Sequence, residues 1–199
     1  MCIRDSPDAV HPWRIGFAGR YGDPRKNINL LLEAVRLLVQ QGAPVELHLA
    51  GEKTLTLLQP KLEELGIESR VRCLPPLEPI ELAPLLRSLD VFVIPSHQEG
   101  LCIAALEAMA CGTPVVSTRC GGPEYYVREG STGQLVDADP KALASAIAAI
   151  ASDRPHRNHL ALGASQWVSE HASTAAARAT FRRQLKATWP HLAFPEEAR

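Results

Sequence analysis

The stretch that decides the fold is DVFVI (90–94), PSHQEGLCIAALEAMACGT (95–113) and PVVST (114–118). A short apolar run with β-branched residues comes first and reads as a strand. A loop ending near Gly100 leads into a helical segment, closed by Gly112 with Pro114 beyond it. A second short apolar run follows, so the stretch is one strand, helix and strand unit.

The same alternation extends in both directions. Further strand-length runs are WRIGFAG (13–19), VELHLAG (45–51), VRCL (71–74) and the weaker GQLVD (133–137). Between the first two, Ile28, Leu31, Leu32, Val35, Leu38 and Val39 are spaced by three and four, which puts them on one helical face, and Gly42 stops that helix. Periodicity predicts more helices near 55–65, 80–88, 102–111, 123–129 and 140–152. Strands alternating with helices imply an α/β fold, a Rossmann-like doubly wound parallel sheet. Residues 156–189 are helical in pattern (Leu160, Trp167, Val168, Phe181, Leu185, Trp189) without further strands, and form a C-terminal helical tail. Its aromatics are expected to cover the sheet's own helices, with docking against a neighbouring domain as the alternative. Arg178, Arg182 and Lys186 read as a solvated helix face. The expected organisation is a non-native or disordered leader over 1–12, a Rossmann-like domain over 13–152 and the tail over 153–199.

Composition narrows the function. The 199 residues carry 21 basic and 22 acidic side chains and are 46% hydrophobic, enough for a real core. A net charge of −1 creates no field that would gather nucleic acid. No apolar run reaches the roughly 18 to 20 residues of a membrane span, and the N-terminus lacks a secretory apolar region. Five cysteines, an odd number without C-x-x-C spacing, indicate neither a disulfide framework nor a zinc site. A cytoplasmic location is expected, and peripheral membrane contact is compatible with the chain.

Ligands of open parallel sheets bind beyond the carboxyl ends of the strands, so the loops there are where chemistry is expected. The first is GRYGDPRKN (19–27). Arg25 and Lys26 oppose the macrodipole of the helix that follows, and a bound anion would relieve the conflict. Arg20, Lys26 and the helix amides would form its cradle, with Asp23 as a local partner otherwise. The second is PSHQEGLCIAALE (95–107), where Glu99 precedes a helix N-terminus and Glu107 lies two turns along it, leaning back toward the loop. Free amides at Gly100, Leu101 and Cys102 suit phosphate, and two acceptor-only carboxylates suit vicinal hydroxyls, the needs of a nucleotide diphosphate sugar. The third, CGGPE (120–124), reads as a generic Gly-Gly turn, with a second anion nest as the alternative. Asp137 and Asp139 mimic a D-x-D metal motif, but Asp139 before Pro140 reads as a helix N-cap. His156 and His159 lack the company of a metal site.

Together, GRYGDPRKN, PSHQEGLCIAALEAMACGTPVVST and CGGPE resemble the donor-binding half of glycosyltransferase family 4, the group 1 retaining transferases. The resemblance covers about 13–152 and is most specific at Glu99 and Glu107 within EAMACGTPVV. It implies one half of a two-domain GT-B fold, transferring a sugar from a nucleotide diphosphate donor with retention. Arg20 and Lys26 would neutralise the diphosphate leaving group and Glu99 would contact the donor sugar, which makes these three the implied catalytic set. Glu107 would hold the ribose, while Gly19, Gly100, Leu101 and Cys102 would complete the donor site. No metal and no cofactor are implied; the donor is a substrate, a UDP-sugar by default. The acceptor domain, which lies N-terminal in the family, is absent from these 199 residues, so the chain alone is expected to bind donor without transferring sugar. Leu101-Cys102 departs from the Phe-Gly pair common in the family. The competing readings are half of a sugar-nucleotide isomerase and a non-catalytic nucleotide-sugar-binding module.

Overall fold

The computed structural model describes residues 11–51 and 54–191, so 1–10 of the expected leader and 192–199 of the tail lie outside the described residues. Six strands form one parallel sheet: β1 (Trp13–Ala18), β2 (Val45–Ala50), β3 (Val71–Leu74), β4 (Val91–Ile94), β5 (Val115–Thr118) and β6 (Gly133–Val136), in the order β3-β2-β1-β4-β5-β6. This is the doubly wound order, and it reverses direction between β1 and β4. Each of the six apolar runs in the sequence became a strand. Period two sorts their side chains onto two faces, and each face is covered by helices.

One face packs Ile15, Phe17, Leu47, Leu49, Val91, Val93 and Val116 against α1 (Ile28–Gln40), α2 (Thr54–Leu65) and α5 (Pro140–Ala151). The opposite face packs Phe92, Ile94 and Val115 against α3 (Pro79–Ser88), α4 (Ile103–Ala110) and α6 (Arg154–His171). The α1 face is the one its spacing predicted: Leu31, Leu32 and Val35 are fully buried. Its end is a Schellman motif, in which Gly42 takes φ 79 while the amides of Gly42 and Ala43 donate to Val39 and Leu38 carbonyls.

The helix expected over 123–129 is a correction. Only a 3₁₀ turn forms, Gly122–Tyr125, because Thr132 takes over the backbone beyond it: its hydroxyl oxygen accepts from the Arg128 amide (2.7 Å) and donates to the Tyr126 carbonyl (2.7 Å). The chain therefore bends back into β6. The aromatics of the tail divide. Trp167 packs edge-on to Tyr125 and stacks on His171 (ring centroids 5.8 and 4.7 Å apart), whereas α7 (Thr174–Thr188) buries no residue and Phe181 and Trp189 are exposed. No helix among the described residues is long and apolar enough to cross a membrane.

Candidate functional site

Strand order brings the chemistry together. The loop after β1 and the loop after β4 leave neighbouring strands whose chains then turn to opposite sides, and the crevice opens between them. The His97 amide donates to the Arg25 carbonyl (2.7 Å) and stitches the two loops. An open polar cleft of about 190 Å³ lies there, lined by Arg20, Arg25, Lys26, Gln98, Glu99 and Gly100.

The two loops of the cleft are held differently. In the first, Pro24–Lys26 is a separate 3₁₀ turn capped by Asp23, and α1 starts only after Asn27, which sits at φ 47. Asp23 accepts from the Arg25 guanidinium (2.8 and 3.1 Å) and amide (3.0 Å), and lies 3.5 Å from Arg20. The side-chain hydrogen bonds from Arg25 lead the causes that hold the Asp23 carboxyl down at about 2. Lys26 instead reaches across the cleft to Glu99, 2.8 Å away, with the carboxylate side chain only 8% exposed. The conflict of cations with the helix dipole, for which the sequence offered a bound anion or Asp23 as the answer, is already met inside the protein by Asp23 and Glu99. Three cations against these two carboxylates still leave the crevice positive.

In the second loop, Ser96 and Lys26 both donate to Glu99 Oε1, at 2.6 and 2.8 Å. The amides of Gly100, Leu101 and Cys102 donate to no acceptor among the described residues. The turn into α4 is made by Cys102 at φ 56 and ψ 73, a left-handed conformation unusual for a residue with a Cβ. That is the position at which the resembled family commonly carries glycine, which gives the Leu101-Cys102 departure a backbone meaning. Burial, with the Glu99 charge adding to it, pushes the Cys102 thiol up to about 11, so it is protonated at neutral pH and is no nucleophile. The fully buried Tyr126 donates its hydroxyl to the Leu101 carbonyl (2.8 Å) and fixes the loop from behind.

The third loop is a brace: of its two readings, a generic Gly-Gly turn and a second anion nest, the structure gives the turn. The Gly121 amide is taken by Glu124 (2.9 Å) and the Gly122 amide by the Glu99 carbonyl (3.1 Å), so neither is free for an anion. The backbones meet so closely that a Cβ on Gly122 would lie 1.5 Å from the Gly100 oxygen.

Of the residues expected in the site, Arg20, Lys26, Glu99 and Gly100 line one cleft. Gly19 is not part of the lining; its amide donates to the Ala50 carbonyl, and a Cβ added to it would lie 3.9 Å from the Lys26 side chain. Leu101 and Cys102 follow at the helix start, Leu101 exposed. Glu107 is not part of this lining; it is half-buried on α4, and its carboxylate makes no hydrogen bond or ion pair among the described residues. Sequence reasoning passed over Arg25 and Gln98 as lining residues, and Ser96, Thr118 and Tyr126 as supports. Only Ser96, three residues before Glu99, carried a local signal. Asp139 does cap α5, accepting from the Ala142 amide at 2.8 Å, and His159 Nε2 lies 3.1 Å from the Gly130 carbonyl.

With this geometry in place, comparison with known proteins is informative. The family profile described as Glycosyl transferases group 1 matches residues 12–153. A D-inositol 3-phosphate glycosyltransferase of Corynebacterium urealyticum is 38% identical over 80% of this chain, which covers 38% of that protein. The chain thus spans less than half the length of such curated relatives. Among solved structures, Anabaena HepE in complex with UDP and glucose superposes with a TM-score of 0.78 at 23% identity, over 88% of this chain and 48% of that one. The C-terminal domain of a group 1 family glycosyl transferase from Francisella tularensis superposes with a TM-score of 0.69 at 22% identity, over 81% of this chain and 87% of that one. These likenesses show the fold, that of GT-B glycosyltransferase domains.

Proposed function

The chain belongs to the group 1 glycosyl transferases, and from that premise we propose that it is the donor-binding half of a retaining, family 4 enzyme. The observation that carries the reading is the cleft at the β1/β4 switch point, where three cations face a carboxylate beside three free amides. Amides at the start of a helix and convergent cations are what a diphosphate needs. Arg20 and Lys26 act on the leaving group: as the bond from the anomeric carbon to phosphate breaks, its electron pair moves to the diphosphate, and the two cations stabilise that charge without a metal or cofactor. Arg25, lining the same cleft, adds to the field. Glu99 receives hydroxyls of the donor sugar, and Glu107, whose carboxylate has no hydrogen bond or ion pair among the described residues, receives the ribose.

The donor is a UDP-sugar, a choice supported by the UDP in the Anabaena structure. The partner is the enzyme's own acceptor domain, in keeping with the share of its relatives' length that this chain spans. Transfer needs both halves, and the setting is cytoplasmic. An isomerase half is disfavoured by the family match.

Thermal unfolding of the chain with UDP, GDP and ADP, each beside its nucleoside, tests the reading. Saturation at 100 times Kd stabilises by about 2.7 kcal/mol. The diphosphate increment should disappear in Lys26→Ala, and nucleoside binding should weaken in Glu107→Ala. Equal stabilisation by each diphosphate and its nucleoside contradicts the diphosphate site, and sugar transfer by the isolated chain contradicts the need for a second half.

A further inference from the structure

The strongest unassigned feature is Ser96, the second residue beyond β4, which is 1% exposed. Its hydroxyl donates to Glu99 Oε1 at 2.6 Å, and its own carbonyl accepts from the hydroxyl of Thr118 at 2.5 Å. Thr118 is fully buried at the end of β5. Ser96 is therefore anchored by the neighbouring strand and closed off from solvent. Lys26 donates to the same carboxylate oxygen at 2.8 Å, so both protein donors gather on Oε1 and Oε2 has none among the described residues. A diphosphate entering the cleft competes with Glu99 for the charge of Lys26. Once that cation is shared, the hydrogen bond from Ser96 is the one that still fixes the carboxylate among the described residues.

We propose that Ser96 is a positioning residue: it holds Glu99 by Oε1 so that Oε2 stays presented to the hydroxyls of the donor sugar while Lys26 serves the diphosphate. This rests on the reading of Glu99 as the sugar contact. Ser96 does not touch the donor; it acts through the carboxylate, and its effect belongs to the sugar and not to the nucleotide.

The experiment titrates the whole chain with UDP, GDP and ADP and, for each that binds, with its glucose conjugate, in wild type, Ser96→Ala, Ser96→Cys and Glu99→Gln. The readout is the ratio of the two Kd values, which general loss of structure would not move selectively. Loss of a hydrogen bond to a charged group should reduce the advantage of the sugar conjugate about tenfold in both Ser96 variants, while the diphosphate Kd stays within about twofold. If Glu99→Gln loses the advantage and the Ser96 variants keep it, positioning by Ser96 is wrong and the reading of Glu99 stands. If Glu99→Gln keeps it, or no diphosphate binds, the functional reading itself falls and the proposal with it. A crystal structure of the Ser96→Ala chain with the bound nucleoside diphosphate, beside that of the wild type, gives an independent reading: with Lys26 drawn to the diphosphate the Glu99 carboxylate should turn from its wild-type orientation, and an unchanged carboxylate overturns the proposal.

Discussion

The loop after β1 and the loop after β4 face each other across one cleft and are built on opposite plans. The first carries the cations and is held mainly by its own residues, with Asp23 binding Arg25 and Arg20 at sites that are 62% and 60% exposed. The second carries the carboxylate and the free amides and is held from elsewhere: Thr118 grips the Ser96 carbonyl, Tyr126 the Leu101 carbonyl, and Glu99 exchanges backbone hydrogen bonds with Cys120 and Gly122. The difference assigns the work. Exposed arginines on a self-contained turn can follow a moving phosphate at little cost, whereas amides aimed at a fixed point must not move. Damage to the second loop's supports should therefore cost stability, while damage to the first should leave the fold intact and show in binding.

The largest expected effect comes from Gly122→Ala. Its Cβ would meet the Gly100 backbone oxygen, and the loops after β4 and β5 would be forced apart. Overpacking of this kind should destabilise by about 3 kcal/mol or more in denaturant unfolding; a loss under about 0.5 kcal/mol would mean that the brace yields. Thr118→Val keeps the volume and removes the donor to Ser96, leaving a buried carbonyl without its partner. About 1 to 3 kcal/mol is expected by the same measurement, and an unchanged midpoint would remove Thr118 from the support. Tyr126→Phe deletes one hydroxyl and should cost about 1 kcal/mol, with the amide resonances of Leu101 and Cys102 broadened in NMR spectra; sharp, unshifted resonances would speak against a brace at this point.

The first loop supplies the smallest effect. The Asp23 carboxyl is held at about 2 in the folded chain by the Arg25 side chain, below the value near 3.9 of an unpaired aspartate. The folded value is the lower one, so the pairing contributes above the unpaired value and is lost as pH falls through about 2. An NMR titration of the carboxyl carbon should find the low midpoint in wild type and a rise toward the ordinary range in Arg25→Ala. An unchanged midpoint in that variant would deny the loop its internal clamp.

How much of this was legible follows the same division. The six strands and the main helices could be read because each buries a periodic face, and periodicity is local. The segment after Gly122 misled because Tyr126 and Val127 are apolar for packing, while the turn is made by Thr132 farther along. In the tail, Trp167 packs and Phe181 does not, a distinction that depends on neighbours and not on residue type. In the site, Arg20, Lys26, Glu99 and Gly100 could be named from charge, glycine and loop position. Arg25 was read as a helix-destabilising cation, because the separate capped turn that holds it is a matter of geometry. Thr118 and Tyr126 stand 22 and 25 residues from the groups they bond, and only strand order and chain reversal make them neighbours.

The central claim is that the two loops form one diphosphate site at the β1/β4 switch point. An amide NMR map of the ¹⁵N-labelled chain titrated with UDP, GDP and ADP tests it most directly. The account predicts saturable shifts, largest at Gly100, Leu101 and Cys102 and extending to Arg20 and Lys26, with the matching nucleoside leaving those five amides nearly unmoved. Shifts centred elsewhere on the fold, or no saturable shift with any of the three diphosphates, would contradict it.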